Sequence, residues 1–155
     1  MFRFTYPALA LLVAVAAGTA LLSGPALAAD ESVNVIKYRQ TVMKSTAAHI
    51  TNIFSVLKGD TSFAGHIAAN ARAISDNAAM IPEIFPAGSG EGRTDALPSI
   101  WQDWAKFEAA AMALKTAADK LAAAADSGDM AAIGTVAGGV GKACGVCHDT
   151  FRKKN

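Results

Sequence analysis

Residues 129–151 read DMAAIGTVAGGVGKACGVCHDTF. Ile133, Val136, Val140, Cys144, Cys147 and Phe151 recur at steps of three and four, the period of a helix with one apolar face. Asp129 precedes the run as an N-cap, and Asp126-Ser127-Gly128 before it is a turn. The segment is therefore predicted as a helix close to the C-terminus. It carries both cysteines of the chain on its apolar side.

The same period appears three more times. A first helix is expected to start near Asp30 and run to about Leu57, where Gly59-Asp60 ends it; its inner stripe is Ile36, Arg39, Met43, Ala47, Ile50, Phe54 and Leu57. A second follows Thr61-Ser62, carries Phe63, Ile67, Ala71, Ile74, Ala78 and Ile81 inward, and stops at Pro82. A third runs from Pro98 or Ser99 to Ala125 with Trp101, Trp104, Phe107, Ala111, Leu114, Ala118, Leu121 and Ala125 on its stripe. Between the second and third, residues 82–98 hold Pro82, Pro86, Gly88, Gly90, Gly92 and Pro98, which forbid a helix. No segment reads as a convincing strand. Short links make helices one and two, and three and four, antiparallel hairpins. The expected fold is all-α: an up-down-up-down four-helix bundle. Val35, Val42 and Ile53 broaden the apolar surface of the first helix on its outer face, which points to a helix-to-helix homodimer contact.

The chain has 155 residues, enough for one domain. Its start has the order of a secretory signal: Arg3, an apolar run from Ala8 to Leu22, then the small-residue exit Ala26-Leu27-Ala28. A membrane anchor is the competing reading, but the uninterrupted run is shorter than the roughly 20 residues a span requires. The expected division is a cleaved signal peptide over 1–28 and one bundle domain over 29–155, exported and free of the membrane after cleavage. Of 14 basic residues only Arg3 leaves with the signal, so 13 face 13 acidic ones in the mature chain. No basic run interleaves with aromatics, so nucleic acid is not an expected partner.

Two cysteines in an exported protein suggest a disulfide, yet Cys144 and Cys147 would close almost no loop and gain little by pairing. A zinc site lacks a second pair of ligands at finger spacing. A thioredoxin-like redox pair belongs after a strand in an α/β fold. The pattern Cys144-Gly145-Val146-Cys147-His148 is instead the C-x-x-C-H of covalent haem attachment. At 3.6 residues per turn the three side chains share about a third of the helix circumference. Both sulfurs can then reach the vinyl groups on one edge of a porphyrin, and His148 can reach the iron as an axial ligand.

Arg39 and Met43 lie one turn apart on the inner stripe of the first helix. An unpaired guanidinium is costly to bury. Either a haem propionate pairs with it or its stem lies on the core while its head reaches water. Met43 is either an apolar filler over a five-coordinate iron or a sixth ligand that makes the iron low-spin. His49 and His66 read as exposed flank residues. Trp101, Trp104 and Phe107 read as core and haem-wall packing.

These residues resemble cytochrome c′ and its low-spin relatives, the class II c-type cytochromes. The resemblance rests on Tyr38-Arg39-Gln40 with Met43, the Trp101 region after the Pro/Gly-rich loop, and Cys144-Gly145-Val146-Cys147-His148 followed by Asp149, Phe151 and Arg152. It covers essentially the whole mature chain. It implies a periplasmic protein with one covalent haem c, commonly a homodimer with the first helix at its interface. It also implies that Arg39 and Gln40 lie on the distal side near the propionates, and Arg152 beside the proximal histidine. In cytochrome c′ a hydrophobic residue at the position of Met43 covers a five-coordinate iron, whereas low-spin members use a methionine of the first helix as sixth ligand.

The expected function is one-electron transfer by a periplasmic haem protein that binds nitric oxide or carbon monoxide, with a redox partner that the chain does not name. The alternatives are pure electron transfer with Met43 bound to iron, or dedicated gas scavenging. A peroxide enzyme would need an acid/base histidine beside Arg39, and the stripe has none, so no enzymatic activity is expected. Haem should stay with the polypeptide through denaturing acid extraction. The double substitution Cys144→Ala, Cys147→Ala should release it; free extraction from the native protein contradicts the attachment.

Overall fold

The structure, a computed structural model, describes residues 29–154. The expected signal peptide, 1–28, lies outside them. Five α-helices follow in order: α1 (Ala29–Leu57), α2 (Ile67–Met80), the short α3 (Ser99–Gln102), α4 (Trp104–Asp126) and α5 (Met130–Phe151). No strand occurs among the described residues; one isolated antiparallel bridge joins Ala96 and Arg152. The four long helices form the expected bundle, with α2 packed most closely on α4, then α4 on α5 and α1 on α2.

The helix ends follow from local chemistry. Gly59 takes φ +80, its N–H donates to the Val56 carbonyl at 3.0 Å, and the Asp60 N–H donates to the Ser55 carbonyl at 2.9 Å. That pair of bonds satisfies the last carbonyls of α1 around a left-handed glycine. Asp129 caps α5 as expected: its Oδ1 accepts from the N–H groups of Ala131 at 2.9 Å and Ala132 at 3.2 Å.

Three sequence expectations change. The third helix is broken: Asp103 leaves the helical region at φ −130, ψ 62 and its carboxylate accepts from the Lys106 N–H, so it caps a fresh start at Trp104. Trp101 therefore belongs to a separate turn. Phe63 is not an inward residue but 58% exposed, because a 3-10 turn at Ala64–His66 delays α2 to Ile67. Its ring stacks on His66 at 5.1 Å.

The third change concerns α1. Val42 and Ile53, expected on an outer face, are buried in the bundle, and Ala47, expected inside, is exposed. A helix with two neighbours needs two stripes. Val42, Thr46 and Ile53 form the one that meets α2, where Asn77 Nδ2 donates to Thr46 Oγ1 at 3.1 Å and His49 Nδ1 meets Asn70 Oδ1 at 2.9 Å. His49 is thus half-buried rather than a free flank residue. Met43 and Ile50 lie about a quarter turn away and pack against the core from a second stripe, on which Ala47 is exposed. Of the three residues that suggested a dimer only Val35 stays out of the core; Val33 and Tyr38, not part of that expectation, are exposed on the same helix, Tyr38 at 56%.

The core runs through Ile67, Ala71, Ile74 and Ala78 of α2, Phe107, Ala111, Leu114, Ala118 and Leu121 of α4, and Ile133, Ala137 and Val140 of α5. Leu121 is fully buried. Leu121→Ala keeps helix propensity and removes packing, so it should lower unfolding free energy by about 2–5 kcal/mol, read as a fall in urea midpoint with an unchanged denaturant slope.

Candidate haem-binding site

α1 and α5 meet at few points; the motif occupies the last turns of α5, and Met43 lies on α1. α5 has a mean hydropathy of 1.4 over its most apolar stretch, of which 17% is buried. By length and composition it would suit a membrane span. In the bundle its Ile133, Ala137 and Val140 pack into the core, and most of its apolar stretch stays outside the core. Cys144 and Cys147 are half-buried, free of any disulfide, and packed against the core with Met43 and Ile50 of α1.

Burial pushes the Cys144 thiol up, and burial together with the neighbouring Cys144 pushes Cys147 up to about 11. Both are neutral thiols near pH 7, the form that burial favours. The His148 side chain is still open to solvent. Even so, desolvation by the surrounding protein, followed by the charge of Arg152, holds its proton affinity below the ordinary histidine value, against a smaller opposing pull from Asp149. A neutral imidazole is the form that can ligate a metal. Two neutral thiols and an imidazole in the last turns of one helix, with much of that helix's apolar surface left uncovered, fit a flat apolar group tethered to α5.

Arg39 is 2% exposed, which removes the reading in which its head reaches water. Its Nη1 donates to Ser89 Oγ at 2.8 Å, and its Nη2 donates to the Ser89 carbonyl and to Thr94 Oγ1, each at 2.8 Å. The guanidinium lies over Phe85 at 4.5 Å from the ring centroid and 6.0 Å from that of Trp101, within reach of cation–π attraction. Desolvation lowers its pKa. No carboxylate pairs with it in an ion pair among the described residues. A guanidinium has five N–H donors; three are engaged, so two remain for a carboxylate.

Gln40 is exposed and its Nε2 donates to the Arg93 carbonyl at 2.9 Å. Arg152 follows α5 in extended conformation, with its N–H donating to the His148 carbonyl at 3.1 Å. The sequence reading missed Phe85, Ser89 and Thr94. Their signal was indirect: a cation on an inner stripe demands acceptors, and the long loop is the segment rich in them. Trp101 donates from Nε1 to the carbonyls of Phe85 at 3.0 Å and Pro86 at 3.1 Å. Phe85, Phe107 and Phe151 then stack edge to face, at 4.9 and 5.3 Å between centroids, joining the loop and the start of α4 to the end of α5. A groove of about 630 Å³ between α4 and α5 is lined by α4 residues between Ala109 and Lys120 together with Thr135, Val136 and Gly139, and includes none of the motif residues.

The family model described as Cytochrome C' matches residues 34–152. The chain belongs to the cytochrome c′ family. Members of the family bind one covalent haem c. Cytochrome c′ of Rhodospirillum rubrum is 33% identical over 142 residues, covering 91% of this chain and 97% of that one. The solved cytochrome c prime of Shewanella frigidimarina superposes with a TM-score of 0.75 at 34% identity, over 81% of this chain and 98% of that one. A nitric oxide complex of a point mutant of cytochrome c prime from Alcaligenes xylosoxidans gives a TM-score of 0.72 at 35% identity, over 79% and 97% of the two chains.

Proposed function

We propose that this chain is an exported, periplasmic one-electron carrier whose haem is held by thioethers to Cys144 and Cys147, with His148 as axial ligand. The observation that carries the reading is that Cys144, Cys147 and His148 share the last turns of α5 as two half-buried free thiols and an exposed imidazole. The bound group supplies a single-electron couple and an iron site for a small gas. The protein anchors it, keeps the axial imidazole neutral and covers the distal side with apolar surface. Arg39, with two free N–H groups, and Gln40 serve the propionate side; Arg152 serves the proximal side. The reading assigns no catalysed reaction. Export is supported by the sequence order of Arg3, the apolar run from Ala8 to Leu22 and the small-residue exit Ala26-Leu27-Ala28.

In this reading Met43 would pack over the bound haem without bonding its iron, leaving the position that nitric oxide or carbon monoxide would take. Met43 sits on a rigid helix pinned one turn earlier by Arg39, so its sulfur has little freedom to seek the iron. The nitric oxide complex of the Alcaligenes relative supports the gas assignment. A second reading, with Met43 as sixth ligand and electron transfer alone, is favoured by the presence of a thioether at this position. Met43→Ala decides between them. For a five-coordinate iron it should speed carbon monoxide binding to the ferrous protein by about tenfold, equal to about 1.4 kcal/mol of barrier. A methionine-to-iron charge-transfer band in the oxidised wild type, lost in Met43→Ala, reverses the assignment.

A homodimer through α1 belongs to the same proposal, now supported by Val33, Val35, Tyr38 and the family resemblance rather than by Val42 and Ile53. Sedimentation at micromolar concentration should give twice the chain mass. A monomer that persists there removes the dimer.

A further inference from the structure

α1 and the end of α5 have little direct contact, yet one stretch of the long loop bonds to both. Toward α1 there are four partners: Ser32 Oγ donates to the Gly88 carbonyl at 3.4 Å, Arg39 grips Ser89 and Thr94, and Gln40 donates to the Arg93 carbonyl. Toward α5, the Leu97 N–H donates to the Phe151 carbonyl at 2.9 Å, and the Lys153 N–H to the Asp95 carbonyl at 2.8 Å. Ser99 Oγ donates to the Thr150 carbonyl at 3.1 Å.

Thr94 is where the two sets meet. Its Oγ1 accepts from Arg39 Nη2 at 2.8 Å and from the Ala96 N–H at 3.1 Å, and its carbonyl accepts from Lys153 Nζ at 3.2 Å. One residue thus receives a buried cation of α1, fixes the turn that starts the pairing with α5, and holds the residue just past that helix. Arg152, inside this pairing, returns its N–H to the His148 carbonyl.

We infer that Thr94 is a positioning residue: it sets the spacing between the Arg39–Met43 turn of α1 and the His148 turn of α5, and thereby how easily Met43 yields to a gas at the iron. The inference rests on the haem assignment above. Its physical basis is the bond from Arg39. A hydrogen bond to a charged donor is worth about twice a neutral one, and its loss leaves a buried guanidinium short of an acceptor. With that bond gone, the turn at Thr94 loosens on both sides, toward Arg39 of α1 and toward Lys153 beyond α5.

Thr94→Val keeps the shape and removes the acceptor; Thr94→Ser keeps the hydroxyl. In the haem-loaded protein, Thr94→Val should raise amide exchange together at Ile36–Val42 and at Phe151–Lys153. Carbon monoxide association should become roughly threefold faster or more, about 0.65 kcal/mol of barrier. The iron–histidine stretching frequency should shift, and Thr94→Ser should restore all three. Leu121→Ala, which destabilises the core at a distance, should leave the association rate and the stretching frequency as in the wild type. Exchange that rises only within the loop overturns the inference, as does an unchanged association rate in Thr94→Val or a comparable change in Leu121→Ala. A wild-type spectrum showing Met43 bound to iron sinks the five-coordinate assignment instead, while the paired rise in exchange still reports the joint itself.

Discussion

The bundle depends on how it accommodates one buried cation. Arg39 is shielded from water and meets only neutral oxygens and two aromatic faces among the described residues. Removing a guanidinium from water costs several kcal/mol unless its donors are met. The loop between α2 and α3 is shaped to meet them. Ser89 is fully buried although it lies among glycines, and its hydroxyl is fixed in turn by donating to the Pro86 carbonyl at 2.8 Å. Gly90 gives the closest packing: a Cβ there would come within 2.9 Å of the Trp101 ring. The indole can therefore close over the loop backbone, donate to Phe85 and Pro86, and form one side of the guanidinium's aromatic box.

The two helices that carry the site residues present them for different reasons. α5 contributes thiols and imidazole because its last turns carry them on and beside the apolar stripe. α1 contributes Met43 and Ile50 because its second stripe is left over after Val42, Thr46 and Ile53 have packed on α2. The aromatic chain from Phe85 through Phe107 to Phe151 ties the loop to both α4 and α5. Position within this site is thus set by the helix termini and the loop more than by the middle of the bundle.

Much of this was legible in the sequence, for a physical reason. Period 3.6 is imposed by burial against one core, so Ile67, Ala71, Ile74 and Ala78, or Phe107, Ala111, Leu114 and Ala118, declare their helix without any tertiary knowledge. The attachment motif is local as well: five consecutive residues specify two sulfurs and an imidazole. What could not be read is what joins distant parts of the chain. Arg39 and Ser89 are 50 positions apart, and nothing local tells a buried cation which loop will receive it. Periodicity also marks apolar positions without saying which neighbour each one faces, so Val42 and Ile53 were placed outside. The break at Asp103 was missed because the apolar rhythm runs straight through it, although an aspartate three residues before Lys106 is an acceptable cap.

Loops are ordinarily where related chains accept insertions most freely. The segment that joins α2 to α3 is held at Gly88, Ser89, Arg93 and Thr94 on one side and at Asp95, Ala96 and Leu97 on the other. Its length is therefore as constrained as that of a helix. An added residue would pull one set of partners out of register with the other. The converse also holds: a substitution in this segment acts on α1 and the end of α5 together, although the segment belongs to neither helix. In this molecule the hypervariable part of an ordinary fold has become its gauge.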